Sequence, residues 1–252
     1  MAGTSAHINR AYAEELQTLN SLIARMGGLA EAQLAAAVEA LVGGDRKLAE
    51  RAIRADELLD ELEQEVDEAV VRILALRQPM AGDLRSVIAA MKIAVDLERI
   101  GDHAKNIAKR SRPLWQTRQI EATRALPRMA QMAQGGIKHV LDAYLQRDAE
   151  AAVAVWEGDR DIDEMYNSIF RTTLTYMMED PRNITPATHL LFIARNIERI
   201  GDHATNIAEE VHFMVTGERL EGIRPKSDAS NYAIVSPDDS DDGVADKGDK
   251  LT

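Results

Sequence analysis

The sequence of 252 residues contains no cysteine. Without thiols there can be no disulfide framework, no thiolate zinc site and no cysteine nucleophile. Any metal ion must therefore be held by oxygen or imidazole ligands. The glycine loops that cradle phosphates and the serine nucleophile elbow of hydrolases are also missing from the sequence. Because nothing in it specifies a reaction, we predict that the protein is not an enzyme.

Aromatic residues are scarce, at 4% of the chain, although apolar residues as a whole reach 45%. Alanine, leucine, glutamate, arginine and methionine are abundant, and all of them favour helices. The runs of aromatic and β-branched residues that are typical of strands are rare. This composition predicts an all-α protein.

Positive charge is also in short supply, since 30 lysines and arginines face 42 aspartates and glutamates and give a formal net charge of -12. The attraction to phosphate that drives nucleic-acid binding would be reversed in sign over most of such a surface. We therefore expect no direct binding to nucleic acid.

Long apolar runs are missing as well. No segment approaches the length of a membrane span, and residues 1–7 lack the basic and apolar segments of a secretion signal. We expect a soluble, cytoplasmic protein that reaches a membrane only through its partners.

What the sequence does contain is a duplication. Residues 97–108 read LERIGDHAKNIA, and residues 197–208 read IERIGDHATNIA. The repeat keeps polar as well as apolar positions, which indicates two homologous halves. We predict one three-helix bundle at 1–115, a second at 116–221, and a flexible acidic tail at 222–252, where Pro, Ser, Asp and Gly dominate.

Hydrophobic periodicity places six long helices along the chain. Asp45 is predicted to cap the middle helix of the first half, and Asp148 occupies the matched position at an offset of 103 residues. Thr185 is predicted to cap the last helix with Pro186 in its first position. The predicted helices cover about 5–42, 46–78, 81–113, 123–146, 148–178 and 186–216.

Each half repeats a set of carboxylates spaced four residues apart, so that both members of a pair share one helix face. The third helices also place an amide one turn further along the same face. The middle helices carry a second matched pair at an offset of 103 residues. The carboxylates are Glu98, Asp102, Glu198 and Asp202 in the third helices, followed by Asn106 and Asn206, and Asp56, Asp60, Asp159 and Asp163 in the middle helices.

Antiparallel neighbours in a three-helix bundle can bring these acidic faces together. Carboxylates at close range raise one another's pKa, and a hard cation relieves the repulsion. Four carboxylates in each half are therefore candidate metal ligands, with His103 and His203 flanking them or serving as partly buried, hydrogen-bonded histidines. The simpler interpretation, a solvated acidic face, stays open.

The Glu-Arg-Ile-Gly-Asp copies at 98–102 and 198–202, with Arg-Gln-Pro at 77–79 and Tyr-Met-Met-Glu-Asp at 176–180, closely resemble the PhoU family. That family has two similar three-helix bundles whose Glu/Asp-x-x-x-Asp motifs bind metal clusters. The resemblance thus implies iron, zinc, manganese or magnesium ions as cofactors. The third-helix carboxylates match the signature strictly, and the middle-helix aspartates match a looser pattern.

The family regulates the phosphate-starvation response negatively and modulates high-affinity phosphate uptake. The resemblance implies a non-enzymatic adaptor that links a PstB-like ATPase of the phosphate ABC transporter to a PhoR-like histidine kinase, and we expect a homodimer. Three other functions stay open on the sequence alone: a metal-dependent enzyme or metal store on the same carboxylates, a scaffold with solvated acidic faces, and a free-standing relative with a role in persistence or metal balance.

Overall fold

A computed structural model of the protein describes residues 2–116 and 121–220, and this part of the chain contains helices and no strand. The long helices are α1 (Ala2–Gly43), α2 (Arg46–Arg77), α3 (Ala81–Leu114), α4 (Leu126–Gln146), α5 (Ala149–Glu179) and α6 (Ile184–Thr216). Short 3-10 helices at Glu121–Ala125 and Pro181–Asn183 precede α4 and α6. The predicted all-α fold with six long helices is confirmed. The predicted acidic tail at 222–252 lies outside the described residues.

Two aspartates cap the middle helices, Asp45 as the sequence predicts and Asp148 at the matched position, one residue before the helix begins. Asp45 precedes α2, and its Oδ1 accepts hydrogen bonds from the backbone N–H groups of Lys47 and Leu48 at 2.9 and 3.0 Å. Asp148 precedes α5 and accepts two equivalent bonds, both at 3.0 Å. Such caps satisfy backbone donors that have no partner inside the helix and contribute about 1 kcal/mol each. The two caps fix the same starting register in both halves.

The start of α6 differs from the prediction. Instead of Thr185 capping a helix that begins at Pro186, the helix begins at Ile184 and continues directly from a 3-10 turn. Asp180 caps that turn, accepting from the backbone N–H of Arg182 at 2.9 Å. A carboxylate further upstream therefore takes the capping role, and the prediction for Thr185 is wrong.

Each set of three consecutive helices packs as a bundle, α1 to α3 in the first half and α4 to α6 in the second. Buried apolar side chains match between the halves: Met26 and Leu97 in the first correspond to Met129 and Ile197 in the second. The bundles are joined by α1 against α4 and, more extensively, by α3 against α6. Their apolar interiors form one continuous cluster. The two predicted tandem bundles are thus confirmed, and they share a core.

None of the helices in the described ranges is long and apolar enough to cross a membrane.

Arg77 ties the end of α2 to α1. Its guanidinium donates two hydrogen bonds to the Glu15 carboxylate, from Nε at 2.8 Å and from Nη2 at 2.7 Å. This paired contact lowers the pKa of Glu15 below its ordinary value. Arg77 opens the Arg-Gln-Pro segment noted in the sequence, and Gln78 then ends the helix with a left-handed backbone conformation. The arginine therefore has a structural role that the sequence pattern alone does not reveal.

Glu15→Gln is expected to reduce the acid sensitivity of the fold. A carboxylate whose pKa is lowered on folding stabilises the protein above pH 4.5, the ordinary pKa of glutamate, and loses this contribution as the pH falls through the lowered value. Urea unfolding between pH 7 and pH 3 should show a smaller loss of stability in the variant. The matched control is Glu14→Gln, which removes only an exposed ion pair with Arg10 and should leave the pH profile unchanged.

Candidate functional site

The four predicted carboxylates of the second half are all buried between α5 and α6. We call Asp159, Asp163, Glu198 and Asp202 the second-half cluster. Their exposed fractions are 4%, 1%, 2% and 7%. Charged side chains are rarely buried to this extent unless they are paired or hold a cation. This burial separates the cluster from an ordinary solvated acidic face.

Gly201 allows α5 and α6 to approach each other at the cluster. A Cβ atom at this position would lie 2.9 Å from Oδ1 of Asp159 and 3.0 Å from Cδ1 of Ile162. Any side chain there would push the carboxylate away from α6. The glycine in the repeated Glu-Arg-Ile-Gly-Asp segment is therefore required for close packing between a carboxylate of α5 and the backbone of α6.

Glu198 carries the clearest electrostatic signature of the cluster. Burial, together with the charges of Asp202 and Asp163 and against the opposing effect of Arg195, raises its pKa to about 7. Oε1 accepts from Nη1 of Arg195 at 3.1 Å, whereas Oε2 is fully buried and has no hydrogen-bond partner. The Nε atom of Arg199 lies 3.9 Å from Oε2. One carboxylate oxygen is thus left without a strong partner in a low-dielectric site.

The predicted carboxylates of the first half lie in a more open setting. We call Asp56, Asp60, Glu98 and Asp102 the first-half cluster. Asp56 is buried, Glu98 and Asp102 are half-buried, and Asp60 is exposed. The pKa of Glu98 is raised by burial and by the Asp102 charge, and the pKa of Asp60 is raised by partial loss of solvation and by the Asp56 charge. The four carboxylates influence one another, as the sequence predicts for facing acidic surfaces.

A lysine lies inside the first-half cluster. The Nζ atom of Lys105 donates a hydrogen bond to Oδ2 of Asp56 and lies 3.4 Å from Oδ1 of Asp102. The carboxylate of Asp56 is the main reason that the pKa of Lys105 is raised. The first-half cluster therefore contains a covalently attached cation, which sequence analysis did not consider.

The predicted flanking residues lie mainly at the contact between the two halves. Nδ1 of His203 is 2.8 Å from Oδ1 of Asp96, and Nδ2 of Asn206 donates to the same oxygen at 3.2 Å. Nδ1 of His103 is 2.9 Å from Oδ1 of Asn196. The two imidazole rings meet with centroids 5.4 Å apart. These three predicted residues therefore join α3 to α6.

The remaining predicted residue, Asn106, is half-buried on α3.

The pKa of His103 is lowered by burial, with the neighbouring His203 acting in the same direction. The lowered pKa favours the neutral form of the imidazole, against the opposing effect of the hydrogen bond with Asn196. A neutral ring suits a hydrogen-bonded position in a helix contact.

The second-half cluster has the donor chemistry of a hard-cation site, since carboxylate oxygens suit magnesium, manganese and calcium and also bind iron. Residues that would hold such an ion are Asp159, Asp163, Glu198 and Asp202. Within residues 2–116 and 121–220, no three His, Asp or Glu side chains already stand in the geometry of a metal site. The side chains would therefore have to close around an ion. The ion would give the buried Oε2 atom of Glu198 the partner that it lacks.

A cavity of about 540 Å³ leads to this cluster from between α4, α5 and α6. Its lining includes Asp159, Gly201 and Thr205 next to the cluster, and Gly136 and Gly158 further out. The glycines leave space that larger side chains would fill. Solvent and small ions can therefore reach the carboxylate of Asp159.

Sequence analysis missed Lys105 and Arg195 as parts of the two clusters, and Asp96 and Asn196 as partners of the histidines. The lysine had a visible signal, because it is the only charge that differs between the two copies of the 12-residue repeat. Asp96 and Asn196 also occupy matched positions, just before each copy. No local pattern shows that they contact the opposite half.

Comparison with known proteins finds relatives along nearly the whole described chain. A family model described as "PhoU domain" matches residues 23–111 and 126–211. A protein of Caulobacter vibrioides named "Phosphate-specific transport system accessory protein PhoU homolog" is 51% identical over 223 residues, covering 88% of this chain and 97% of the relative. A protein of Rhizobium meliloti with the same name is 49% identical over 227 residues, covering 90% and 96%.

Solved structures show the same architecture. The crystal structure of PhoU from Pseudomonas aeruginosa superposes with a TM-score of 0.80 at 39% identity and covers 82% of this chain and 100% of that chain. The phosphate transport system regulatory protein PhoU from Streptococcus pneumoniae has a TM-score of 0.78 at 29% identity, with coverage of 83% and 99%.

Proposed function

The chain belongs to the PhoU family, and from this membership we propose that it is an accessory protein of a phosphate-specific transport system that acts by binding other proteins rather than by catalysis. The observation that carries the proposal is the match of the PhoU domain to both halves, together with relatives of about 50% identity that are named accessory proteins. The relatives are covered almost end to end, which favours a shared role for the whole chain.

The proposed partners are a PstB-like ATPase subunit of the phosphate ABC transporter and a PhoR-like histidine kinase. When phosphate is plentiful, the protein would hold the kinase in its non-phosphorylating state and restrain high-affinity uptake, as a negative regulator of phosphate-starvation signalling. An ATPase subunit works on the cytoplasmic side of its transporter, so we place the protein in the cytoplasm and at the membrane only through its partners. We also propose that it forms a homodimer.

The joined bundles support an adaptor role. Because α3 packs against α6 and the apolar interiors are continuous, the two halves present their outer faces at a fixed separation. A rigid body with two docking faces can hold two partners in a defined relative position. We propose that this is how the transporter and the kinase are linked.

We further propose that the protein binds iron, manganese, magnesium or zinc ions through its carboxylates. The support is the burial of the second-half cluster and the buried Oε2 atom of Glu198 that has no hydrogen-bond partner. A bound cation would supply positive charge that relieves the repulsion between the carboxylates. The ion would thereby hold α5 and α6 together and stabilise the surface that α6 presents.

The adaptor proposal predicts stable complexes with both partners. Purified full-length protein, mixed with the transporter ATPase and with the cytoplasmic part of the kinase from the same organism, should co-elute with each in size-exclusion chromatography. Light scattering on the protein alone should give the mass of a dimer. Absence of both complexes, with all proteins folded, would remove the adaptor role.

The metal proposal is tested by elemental analysis of the purified protein beside a variant with Glu98, Asp102, Glu198 and Asp202 all changed to Ala. We expect stoichiometric metal in the wild type and its loss in a variant that stays helical. Unchanged partner binding by that variant would show that the carboxylates have no part in docking. The competing function, a metalloenzyme on the same carboxylates, predicts redox turnover or hydrolysis by the metal-loaded protein.

A further inference from the structure

We propose that the two halves neutralise their acidic clusters in different ways. The first-half cluster uses the ammonium group of Lys105 as its cation, whereas the second-half cluster takes a hard metal ion with oxygen ligands. The inference rests on the metal binding proposed above and specifies where it occurs, in one half of each chain only.

The difference originates at one matched position of the repeat. Lys105 on α3 corresponds to Thr205 on α6. The lysine ammonium contacts both Asp56 and Asp102. Thr205 is 1% exposed, and its hydroxyl donates to the backbone carbonyl of Gly201 at 2.9 Å. The threonine thus brings no charge to the place where the other half has an ammonium group.

The two clusters also differ in their need for a cation. All four carboxylates of the second-half cluster are buried, whereas Asp60 of the first-half cluster is exposed and Asp102 is half-buried. Water screens exposed carboxylates but not buried ones. The buried Oε2 atom of Glu198 without a hydrogen-bond partner lies in the cluster that lacks the lysine. A bound cation should therefore stabilise the second half, which has no internal ammonium group, more than the first half.

An arginine also lies at the second-half cluster, but at a different position of the helix from Lys105. Arg195 reaches Oε1 of Glu198 from the previous turn of α6, where the first half has Val95. Its guanidinium also lies 5.3 Å from the ring centre of Tyr166. This guanidinium comes from a different position of the repeat than the ammonium group of Lys105, so it is not the counterpart of that lysine.

The second-half cluster is also easier for an ion to reach than the first-half cluster. Gln33 occupies the first-half position that corresponds to Gly136 at the offset of 103 residues. Its buried side chain donates to the Ala52 carbonyl at 2.9 Å and fills the space beside Gly101. In the second half the glycine helps to line the cavity of about 540 Å³ that reaches Asp159. A hydrated ion can approach the second-half cluster by this route.

Exchanging the two residues tests the inference. Full-length protein is stripped with a chelator and titrated with Mn²⁺ by calorimetry, because this ion suits oxygen ligands. We expect Thr205→Lys to abolish binding, Lys105→Thr to raise the stoichiometry about twofold, and the double exchange to restore the wild-type stoichiometry. Thr205→Val, which adds no charge, is the control and should bind as the wild type does. Circular dichroism confirms that each variant is folded.

A lysine introduced at the buried position 205 could prevent folding, so a second pair of variants tests the inference without it. Glu198→Gln should lower Mn²⁺ binding at least tenfold, whereas the matched Glu98→Gln should leave it unchanged. If both substitutions weaken binding, the ion occupies both halves; the inference is then wrong, while the proposed metal binding stands. If the wild type binds no Mn²⁺, both the inference and the proposed metal binding are wrong. If Lys105→Thr gains no binding, the lysine is not the substitute for a metal ion and the inference is overturned.

Discussion

Lys105→Met is expected to lower the free energy of unfolding by about 3 kcal/mol when it is measured with a chelator present. The substitution removes the ammonium group but keeps a side chain of similar length. Asp56, 4% exposed, would then be a buried carboxylate without its main ionic partner. Breaking a buried ion pair by removing one member costs about 3–5 kcal/mol, and the lower value applies because the lysine side chain is 27% exposed.

Two further variants isolate this effect. Lys109→Met removes an exposed lysine one turn further along α3, and such surface substitutions change stability by less than about 0.5 kcal/mol. Asp56→Asn combined with Lys105→Met removes both charges and should recover most of the loss, since no buried charge is left unpaired. Urea unfolding of the single and double variants gives the coupling energy. A coupling energy near zero would show that the contact contributes nothing to stability.

The second large effect is expected at Gly101, where Gly101→Leu should lower the free energy of unfolding by about 2–3 kcal/mol. A Cβ atom at this position would clash with Cδ1 of Leu59 and lie 3.0 Å from Oε1 of Gln33. Both neighbours are buried in the first bundle, so neither can move aside into solvent. The larger residue would have to push α2 away from α3.

Gly28→Leu provides the matched control, because it places the same side chain in an α1 position where a Cβ atom meets nothing within 4 Å. Removing a glycine from a helix interior stabilises the helix by about 0.5–1 kcal/mol. We therefore expect Gly28→Leu to be neutral or slightly stabilising in thermal and urea unfolding. Equal effects at the two positions would contradict the close approach of α2 to α3.

The helices could be predicted from sequence because their signals are local. Asp45 caps α2 as predicted, its matched residue Asp148 caps α5, and the hydrophobic spacing places Leu97 and Ile197 in the interior. The predicted start of α6 was wrong because two capping patterns overlap in this segment. Thr185-Pro186 has the sequence of a helix start, but Asp180 lies upstream and caps a 3-10 turn that leads directly into the helix.

The acidic positions could also be predicted, but their surroundings could not. A repeat shows that Glu98 and Glu198 occupy equivalent positions, yet burial depends on side chains supplied by other helices. Gln33 on α1 and Gly136 on α4 make the two surroundings different. The metal sites themselves stay a prediction, which the proposed metal analyses test.

The histidines show a further limit of periodicity. The pattern of a helix indicates which face is buried but not which helix covers it. The sequence predicts that His103 and His203 either flank a metal site or are partly buried and hydrogen-bonded, and it does not show which helix supplies the bonding partner. In the fold, α3 and α6 pack against each other, and each histidine bonds to a side chain of the opposite half.

These crossed contacts have the symmetry of a dimer. His103 meets position 196 and His203 meets position 96, so the two contacts are reciprocal, as they are across a symmetric dimer interface. Two identical single-repeat chains, paired in this way, would have to place the same residue at both positions. A fused chain is free of that constraint, and here one position is Asp96 and the other Asn196. Joining two copies in one polypeptide therefore allows the two halves to carry different residues at matched positions, which a symmetric pair of identical chains cannot do.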